Sequence, residues 1–188
     1  DSTSVTMTAT TATDVSGVEY LFQNVTTTGH DSGWQPSPIY TDTSLAPGTD
    51  YTYQVSARDL SPTQNATLPS TSAVATTAPD SEKPAPNPMT WASVPTALSS
   101  NSISMTATAA TDASGVEYLF QNLTDSAHNS GWQASATYTD TGLAPGSSYD
   151  YQVSARDLSP AKNTTIPSGT AAATTQPDTT SPAPDPMT

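Results

Sequence analysis

The stretch LAPGTDYTYQVSARD at residues 45–59 decides the fold of this 188-residue chain, and it returns 98 residues later as LAPGSSYDYQVSARD at residues 143–157. Within the first copy, Tyr51, Tyr53 and Val55 alternate with polar residues. A period of two is typical of a β-strand that turns one face to a core. The Pro-Gly pair before the alternation marks a turn. The stretch therefore predicts a turn followed by a long, half-buried strand, made twice.

The same alternation occurs in two earlier segments, at residues 5–9 and 18–22, and both segments recur in the second half of the chain. Turn-forming residues separate these segments, for example around Gly17 and Gly33. Short strands rich in Thr, Val and Tyr at this spacing indicate an antiparallel β-sandwich. We therefore predict an all-β chain without helices.

The repeat fixes the predicted domain organisation. No insertion or deletion is needed to align Ser4 to Thr90 with the second half, because PAPNPMT before Trp91 returns as PAPDPMT at the end of the chain. Such periodicity is typical of modular arrays. The segment from Trp91 to Leu98 is predicted to be the first strand of the second module, and its counterpart would precede Asp1, so the first module is expected to lack its first strand. The predicted divisions are a first module at 1–78, a Pro-rich semi-rigid linker at 79–90, a second module at 91–176, and a linker to a next module at 177–188.

Composition excludes several classes of function. The chain has 17 acidic and 4 basic residues, a net charge of −13, and no cysteine. Nucleic acid is not expected as a partner, because phosphate binding needs clustered basic residues. There is no thiolate for catalysis or metal binding and no disulfide framework. No apolar run is long enough to insert directly into a membrane. An acidic, Thr-rich, cysteine-free repeat suits an extracellular or cell-surface protein.

The motif at 45–59 also carries a family resemblance. Leu45 to Tyr51, with the alternating residues that follow, is similar to the E–F corner and F strand of bacterial fibronectin type III domains. The resemblance implies two tandem Ig-like, fibronectin type III-like antiparallel β-sandwiches, with Tyr51 and Tyr149 as tyrosine corners. It covers both modules with one departure. The tryptophan usual on the B strand is absent, and Met7 and Met105 lie in that strand instead.

Catalysis finds little support in the sequence. His30 and His128 occupy matching positions in a polar loop, where we expect solvated side chains. No nucleophile elbow and no glycine-rich phosphate loop accompanies them. The chain is predicted not to be an enzyme and to need no cofactor, with calcium as the one ion to consider.

A calcium site is one hypothesis for the acidic loops. In a fibronectin-type sandwich the B–C and F–G loops share one pole, and their oxygen ligands suit Ca²⁺. The alternative is that these residues only form turns, which Asp and Asn do through their own side chains. The candidate ligands are Asp14, Asp59, Asn65, Asp112, Asp157 and Asn163.

Two further kinds of site are open. Trp34 and Trp132 each follow a Ser-Gly turn in a polar stretch, where an indole offers a stacking face for a sugar. The alternative is that each indole folds over the edge of the sandwich. Four asparagines fit the glycosylation pattern, which are Asn24, Asn65, Asn122 and Asn163.

The sequence thus leads to a non-enzymatic structural or spacer repeat of a secreted or cell-surface protein, with neighbouring repeats as its partners. One alternative is a carbohydrate-binding accessory module of a secreted polysaccharide-active enzyme, which would have polysaccharide as its partner. Another is the repeat unit of a self-assembling extracellular fibre, suggested by the missing first strand.

Overall fold

The computed structural model describes residues 1–182 and divides the chain into two compact units, Asp1–Asp80 and Ser81–Thr188. We call these unit 1 and unit 2. Apart from one 3₁₀ turn, every regular element in residues 1–182 is a β-strand. Within this described range no helix is long and apolar enough to cross a bilayer. The predicted all-β fold class is confirmed.

Unit 1 has six strands in two antiparallel sheets. The larger sheet has the order β3-β2-β5-β6, and β1 pairs with β4 in the other. In the register between β2 and β5, Phe22 lies opposite Val55. The strands are β1 (Ser4–Thr8), β2 (Val18–Asn24), β3 (Trp34–Gln35), β4 (Ile39–Thr43), β5 (Asp50–Asp59) and β6 (Ala73–Thr76).

Unit 2 repeats this plan with one more strand. Its larger sheet has the order β10-β9-β12-β13, and its smaller sheet has the order β11-β8-β7. The 3₁₀ turn Ser126–His128 follows β9 and is capped by the side chain of Asp125. The strands are β7 (Trp91–Ala97), β8 (Ser102–Ala107), β9 (Val116–Asn122), β10 (Trp132–Gln133), β11 (Thr137–Thr141), β12 (Ser148–Asp157) and β13 (Ala171–Thr174).

The predicted alternation places the aromatic residues in the cores. Tyr20 and Phe22 on β2 are buried, and so are Tyr51 and Tyr53 on β5. Each strand turns one face inward because successive side chains point to opposite faces of a sheet. The tyrosine corner forms as the resemblance implies, since the amide of Ala46 donates a 2.8 Å hydrogen bond to the Tyr51 hydroxyl. In unit 2 the amide of Ala144 donates to Tyr149 at 3.0 Å.

The two cores differ in how completely they are covered. Ile103 and Met105 on β8 are fully buried, whereas their counterparts on β1, Val5 and Met7, are only half-buried. The difference follows from β7, which pairs with the outer edge of β8. Among the described residues, β1 pairs only with β4.

The Pro-rich segment at 84–90 differs from the predicted linker, because it packs into unit 2. Met89 is 1% exposed and belongs to the hydrophobic core of that unit. Ala85 exchanges two backbone hydrogen bonds with Thr111, and the amide of Met89 donates to the carbonyl of Ile166 at 3.0 Å. The segment precedes β7 as part of the same sandwich. Residues 183–188, half of the predicted second linker at 177–188, lie outside the described residues.

Candidate functional site

The polar loops at one pole of unit 1 bring the predicted ligands Asp14, Asp59 and Asn65 to the walls of one open groove. Asp59 follows directly from the end of β5, and Asp14 lies in the turn before β2. The prediction that these two loops share a pole is therefore met by the geometry.

The carboxylates at this pole act as acceptors for turn-forming hydrogen bonds. Asp59 Oδ1 accepts from the Ser61 amide at 3.1 Å and from the Asn65 amide at 3.0 Å, and Asn65 Nδ2 donates to Asp59 Oδ2 at 2.9 Å. These bonds, the side-chain bond from Asn65 first, lower the pKa of Asp59 below its usual value. The side chain and amide of Ser16 lower the pKa of Asp14 in the same way. The lowered pKa values favour the ionised form of both side chains, in which the carboxylate oxygens accept the hydrogen bonds of the turns.

Unit 2 repeats this pole with deeper burial. Asp157 is fully buried, and its Oδ1 accepts from the Ser159 amide at 3.1 Å and the Asn163 amide at 3.0 Å. Asn163 Nδ2 donates to Asp157 Oδ2 at 2.7 Å. A carboxylate oxygen of Asp112 lies within 4.8 Å of one of Asp157. The turn-forming role of these residues is visible in both units, and calcium binding stays a prediction.

Each predicted sugar-stacking tryptophan lies under an arginine. The guanidinium carbon of Arg58 lies 4.3 Å from the centre of the Trp34 ring, and Arg58 Nη2 donates to Glu19 at 2.9 Å. In unit 2 the distance from Arg156 to the ring of Trp132 is 4.1 Å. A guanidinium over an indole is a favourable cation–π pair. One face of each half-buried indole is therefore occupied by the protein itself.

A buried polar network in each unit was not predicted from the sequence. Asp42 on β4 is 1% exposed and accepts three hydrogen bonds in unit 1: from Asn24 Nδ2 at 3.0 Å, from the Tyr53 hydroxyl at 2.8 Å, and from the ring of His30, whose Nδ1 lies 2.7 Å from Asp42 Oδ1. The Tyr40 hydroxyl donates to the carbonyl of His30 at 3.0 Å. His30 is thus fixed by a buried carboxylate, although its side chain keeps 24% exposure.

Electrostatics support an ionised Asp42. Burial raises the pKa of Asp42, but the hydrogen bonds from Asn24, His30 and Tyr53 outweigh it and hold the pKa below 3.8. Burial and the neighbouring Asp42 carboxylate raise the pKa of the Tyr53 hydroxyl, so Tyr53 stays a neutral donor. A buried charge with all its partners in place is stable, whereas removing one partner is costly.

Unit 2 contains the same network. His128 Nδ1 lies 2.8 Å from Asp140 Oδ1, and the Tyr151 hydroxyl donates to Asp140 Oδ2 at 2.9 Å. Asn122 Nδ2 donates to Asp140 Oδ2 at 3.1 Å, and Asp140 is 1% exposed. The expectation of solvated loop histidines is therefore corrected, since both rings are hydrogen-bonded to buried carboxylates.

The network also bears on the four glycosylation candidates. Asn24 and Asn122 are buried, and their Nδ2 atoms donate to Asp42 and Asp140, so the folded units do not present them to a glycan. Asn65 is exposed, although its Nδ2 donates to Asp59. Asn163 is half-buried in the matching loop.

Comparison with known proteins gives one relative in sequence. The chain is 35% identical over 123 residues to exoglucanase B of Cellulomonas fimi, in an alignment that covers 63% of this chain and 11% of that protein. The chain thus spans about a tenth of the length of this relative. No family model matches the chain.

Comparison with solved structures gives alignments to fibronectin type III domains. The FN1–FN3 domains of chicken CNTN1 align with 94% of this chain and 63% of theirs, at 14% identity and a TM-score of 0.42. The fibronectin type III domain of human fibronectin type III domain containing protein 3 aligns with 57% of this chain and 97% of its own, at 16% identity and a TM-score of 0.41. Each unit is an antiparallel β-sandwich with a tyrosine corner, which is the fold that the resemblance of the sequence to fibronectin type III domains implies.

Proposed function

We propose that the chain is a non-catalytic structural spacer of a secreted or cell-surface protein, with neighbouring repeats as its partners. One observation carries the proposal: the side chains that were candidates for binding or catalysis interact with residues of their own unit. Arg58 lies over Trp34, and the carboxylate of Asp42 is shared among donors. Such satisfied networks rigidify a domain without creating a site for a ligand.

The sequence relative gives this spacer a context. Exoglucanase B is by its name a glucan-cleaving enzyme, and its match to this chain covers 11% of its length. A short matched region is what is expected for a module that accompanies other domains. The spacer role inside a secreted polysaccharide-active protein is therefore the specific form of the proposal, and the extracellular location follows from it.

Carbohydrate binding is the second candidate. It is supported by the same relative and by Trp34 and Trp132, which lie on short strands at the edge of the larger sheets. An aromatic face with polar neighbours is a usual sugar platform. The arginine over each indole favours the spacer role over sugar binding, because a stacking sugar would have to use the other face of the ring or displace the guanidinium.

A depletion assay tests the two candidates against each other. The full chain is mixed with insoluble cellulose, xylan and chitin, and the protein left in solution is measured, together with release of reducing sugar. We expect neither retention nor sugar release. Saturable retention that is lost in a Trp34→Ala/Trp132→Ala double variant, and kept in an Ile39→Ala variant of an exposed strand residue, would replace the spacer with the binding module.

A further inference from the structure

The two ring nitrogens of His128 have different surroundings. Nδ1 lies 2.8 Å from Oδ1 of the buried Asp140, whereas Nε2 lies 4.0 Å from Oδ2 of Asp125. A carboxylate at Nδ1 fixes the orientation of the ring and sets the tautomer of its neutral form, with the proton on Nδ1 and the lone pair on Nε2. The side chain of His128 is 26% exposed, so solvent reaches the ring. An imidazole oriented by a buried carboxylate is the usual arrangement of a metal-binding histidine.

Asp125 places a second donor atom opposite this nitrogen. Its Oδ1 accepts from the Ala127 amide at 3.0 Å and caps the 3₁₀ turn, and its Oδ2 is the atom that lies 4.0 Å from His128 Nε2. This distance is too long for a hydrogen bond. Zinc bonds to imidazole nitrogen and carboxylate oxygen are about 2.0–2.2 Å long, so two donors of one tetrahedral ion lie about 3.4 Å apart. The exposed carboxylate therefore needs to move only about 0.6 Å to share an ion with the ring.

Hydrogen bonds to the sandwich hold both of these residues in place. The amide of Asp125 donates to Oδ1 of the buried Asn122 at 2.9 Å. The Tyr138 hydroxyl donates to the carbonyl of His128, also at 2.9 Å. Ligands fixed in this way by a rigid scaffold lose little further freedom when they bind an ion.

Unit 1 repeats the oriented histidine without the second donor. His30 Nδ1 lies 2.7 Å from Oδ1 of the buried Asp42. Thr27 takes the position of Asp125, and its amide donates to Asn24 Oδ1 at 3.0 Å in the same way. The two units therefore offer the same imidazole, and only unit 2 has a carboxylate at this position of the loop.

We propose that His128 Nε2 and Asp125 Oδ2 form a binding site for a divalent transition-metal ion such as Zn²⁺, with Asp140 as the carboxylate that orients the ring. A nitrogen ligand favours Zn²⁺ over Ca²⁺ and Mg²⁺, which prefer oxygen ligands. Water fills the two remaining positions of a tetrahedral ion. The site goes beyond the spacer role, because it lies within unit 2 and needs no neighbouring repeat.

Zinc chloride titrated into the full chain at neutral pH tests the site, with the ring nitrogens of both histidines followed by NMR. We expect the Nε2 signal of His128 to shift at a zinc concentration about tenfold or more below that needed for His30, since even an outer partner of a metal ligand changes affinity by about this factor. Magnesium chloride at equal concentration is the control for screening of the negative charge, and it should shift neither ring.

Two variants move the second ligand. Asp125→Asn keeps a side-chain oxygen for the cap of the 3₁₀ turn, so unit 2 should stay folded. It should weaken zinc binding at His128 by about tenfold or more. Thr27→Asp supplies a carboxylate beside His30, and it should tighten zinc binding in unit 1 by about the same factor.

Asp31→Asn is the matched control for the lost charge. Unit 2 has Asn129 at this position, and both side chains accept a hydrogen bond from the last amide of the preceding strand, at 2.9 Å in unit 1 and 2.8 Å in unit 2. This variant should leave both zinc affinities unchanged. The proposal is overturned if zinc shifts both histidines at the same concentration, if Asp125→Asn binds zinc as tightly as the unchanged chain, or if Asp31→Asn weakens zinc binding as much as Asp125→Asn does.

Discussion

Replacing Met89 by alanine should unfold unit 2 at a markedly lower temperature, because this side chain is a full member of its core. Met89 is 1% exposed and lies in one cluster with Ile103, Tyr118 and Val153. A buried methionine truncated to alanine costs about 2–5 kcal/mol, from lost transfer free energy and the cavity that remains. For a unit of this size each kcal/mol lowers the melting temperature by about 4–8 °C. The expected fall is therefore about 8 °C or more.

Calorimetry of the full chain measures this directly, since each unit has its own core and should give its own transition. Unit 1 supplies the reference, and its transition should stay in place. Val94→Ala on β7 is the matched control, because Val94 belongs to the same segment and is 57% exposed. A Met89→Ala variant that melts like Val94→Ala would refute the inclusion of residues 84–90 in unit 2, and would return the segment to the role of a linker.

Three further predictions concern the tyrosine corner, the buried network and the acidic pole. Tyr149→Phe should lower the stability of unit 2 by about 1 kcal/mol, through loss of the hydrogen bond from the Ala144 amide, and should leave unit 1 alone; a shift of both transitions would contradict autonomous units. The folded pKa of Asp42 lies below its ordinary 3.8, so its stabilisation of unit 1 is present above that pH and is lost as pH falls through the folded value. Urea titrations between pH 6 and pH 2, run at about the same ionic strength, should show that Asp42→Asn weakens unit 1 and removes part of its acid dependence; an unchanged pH profile would count against the ionised network. Calcium and magnesium at equal concentration should raise the melting temperatures equally by screening the net charge of −13, whereas a calcium-specific rise that Asp157→Ala removes would establish an ion site.

The sequence predicted the parts of the fold that depend on local pattern. Alternation placed Tyr20 and Phe22 in the core. This placement is readable because side-chain direction in a strand has a period of two. The tyrosine corner at Tyr51 was predicted through the family resemblance and not from the local pattern. The proximity of Asp14 to Asp59 was predicted only through the family resemblance.

The buried network around Asp42 could not be predicted from local pattern, because it joins residues on different strands and loops. Asn24, His30 and Asp42 come together only once β2 and β4 have been placed in their two sheets. One local signal was available. Asp42 shares a strand face with Tyr40, and an acidic residue on the face of an aromatic core residue is a candidate for a buried, hydrogen-bonded carboxylate.

The prediction that residues 84–90 belong to a linker was wrong for a different physical reason. Pro84, Pro86 and Pro88 lack amide donors, which is typical of an extended linker. The structure uses the remaining donors instead, since the amides of Ala85 and Met89 both bond inside unit 2. A proline-rich segment can form the border of a sandwich when its other amides find acceptors.

This border has a consequence for how near-identical repeats avoid misassembly. An unpaired edge strand can form hydrogen bonds with a strand of a neighbouring domain. Such misassembly is most frequent when neighbouring domains share a sequence and can exchange strands during folding. Between residues 84 and 89, three positions carry no amide hydrogen and two of the other three amides are engaged within unit 2. An approaching strand would find almost no donors there. The prolines therefore reduce the number of backbone donors along this border of unit 2, which disfavours the addition of a strand from a neighbouring repeat there.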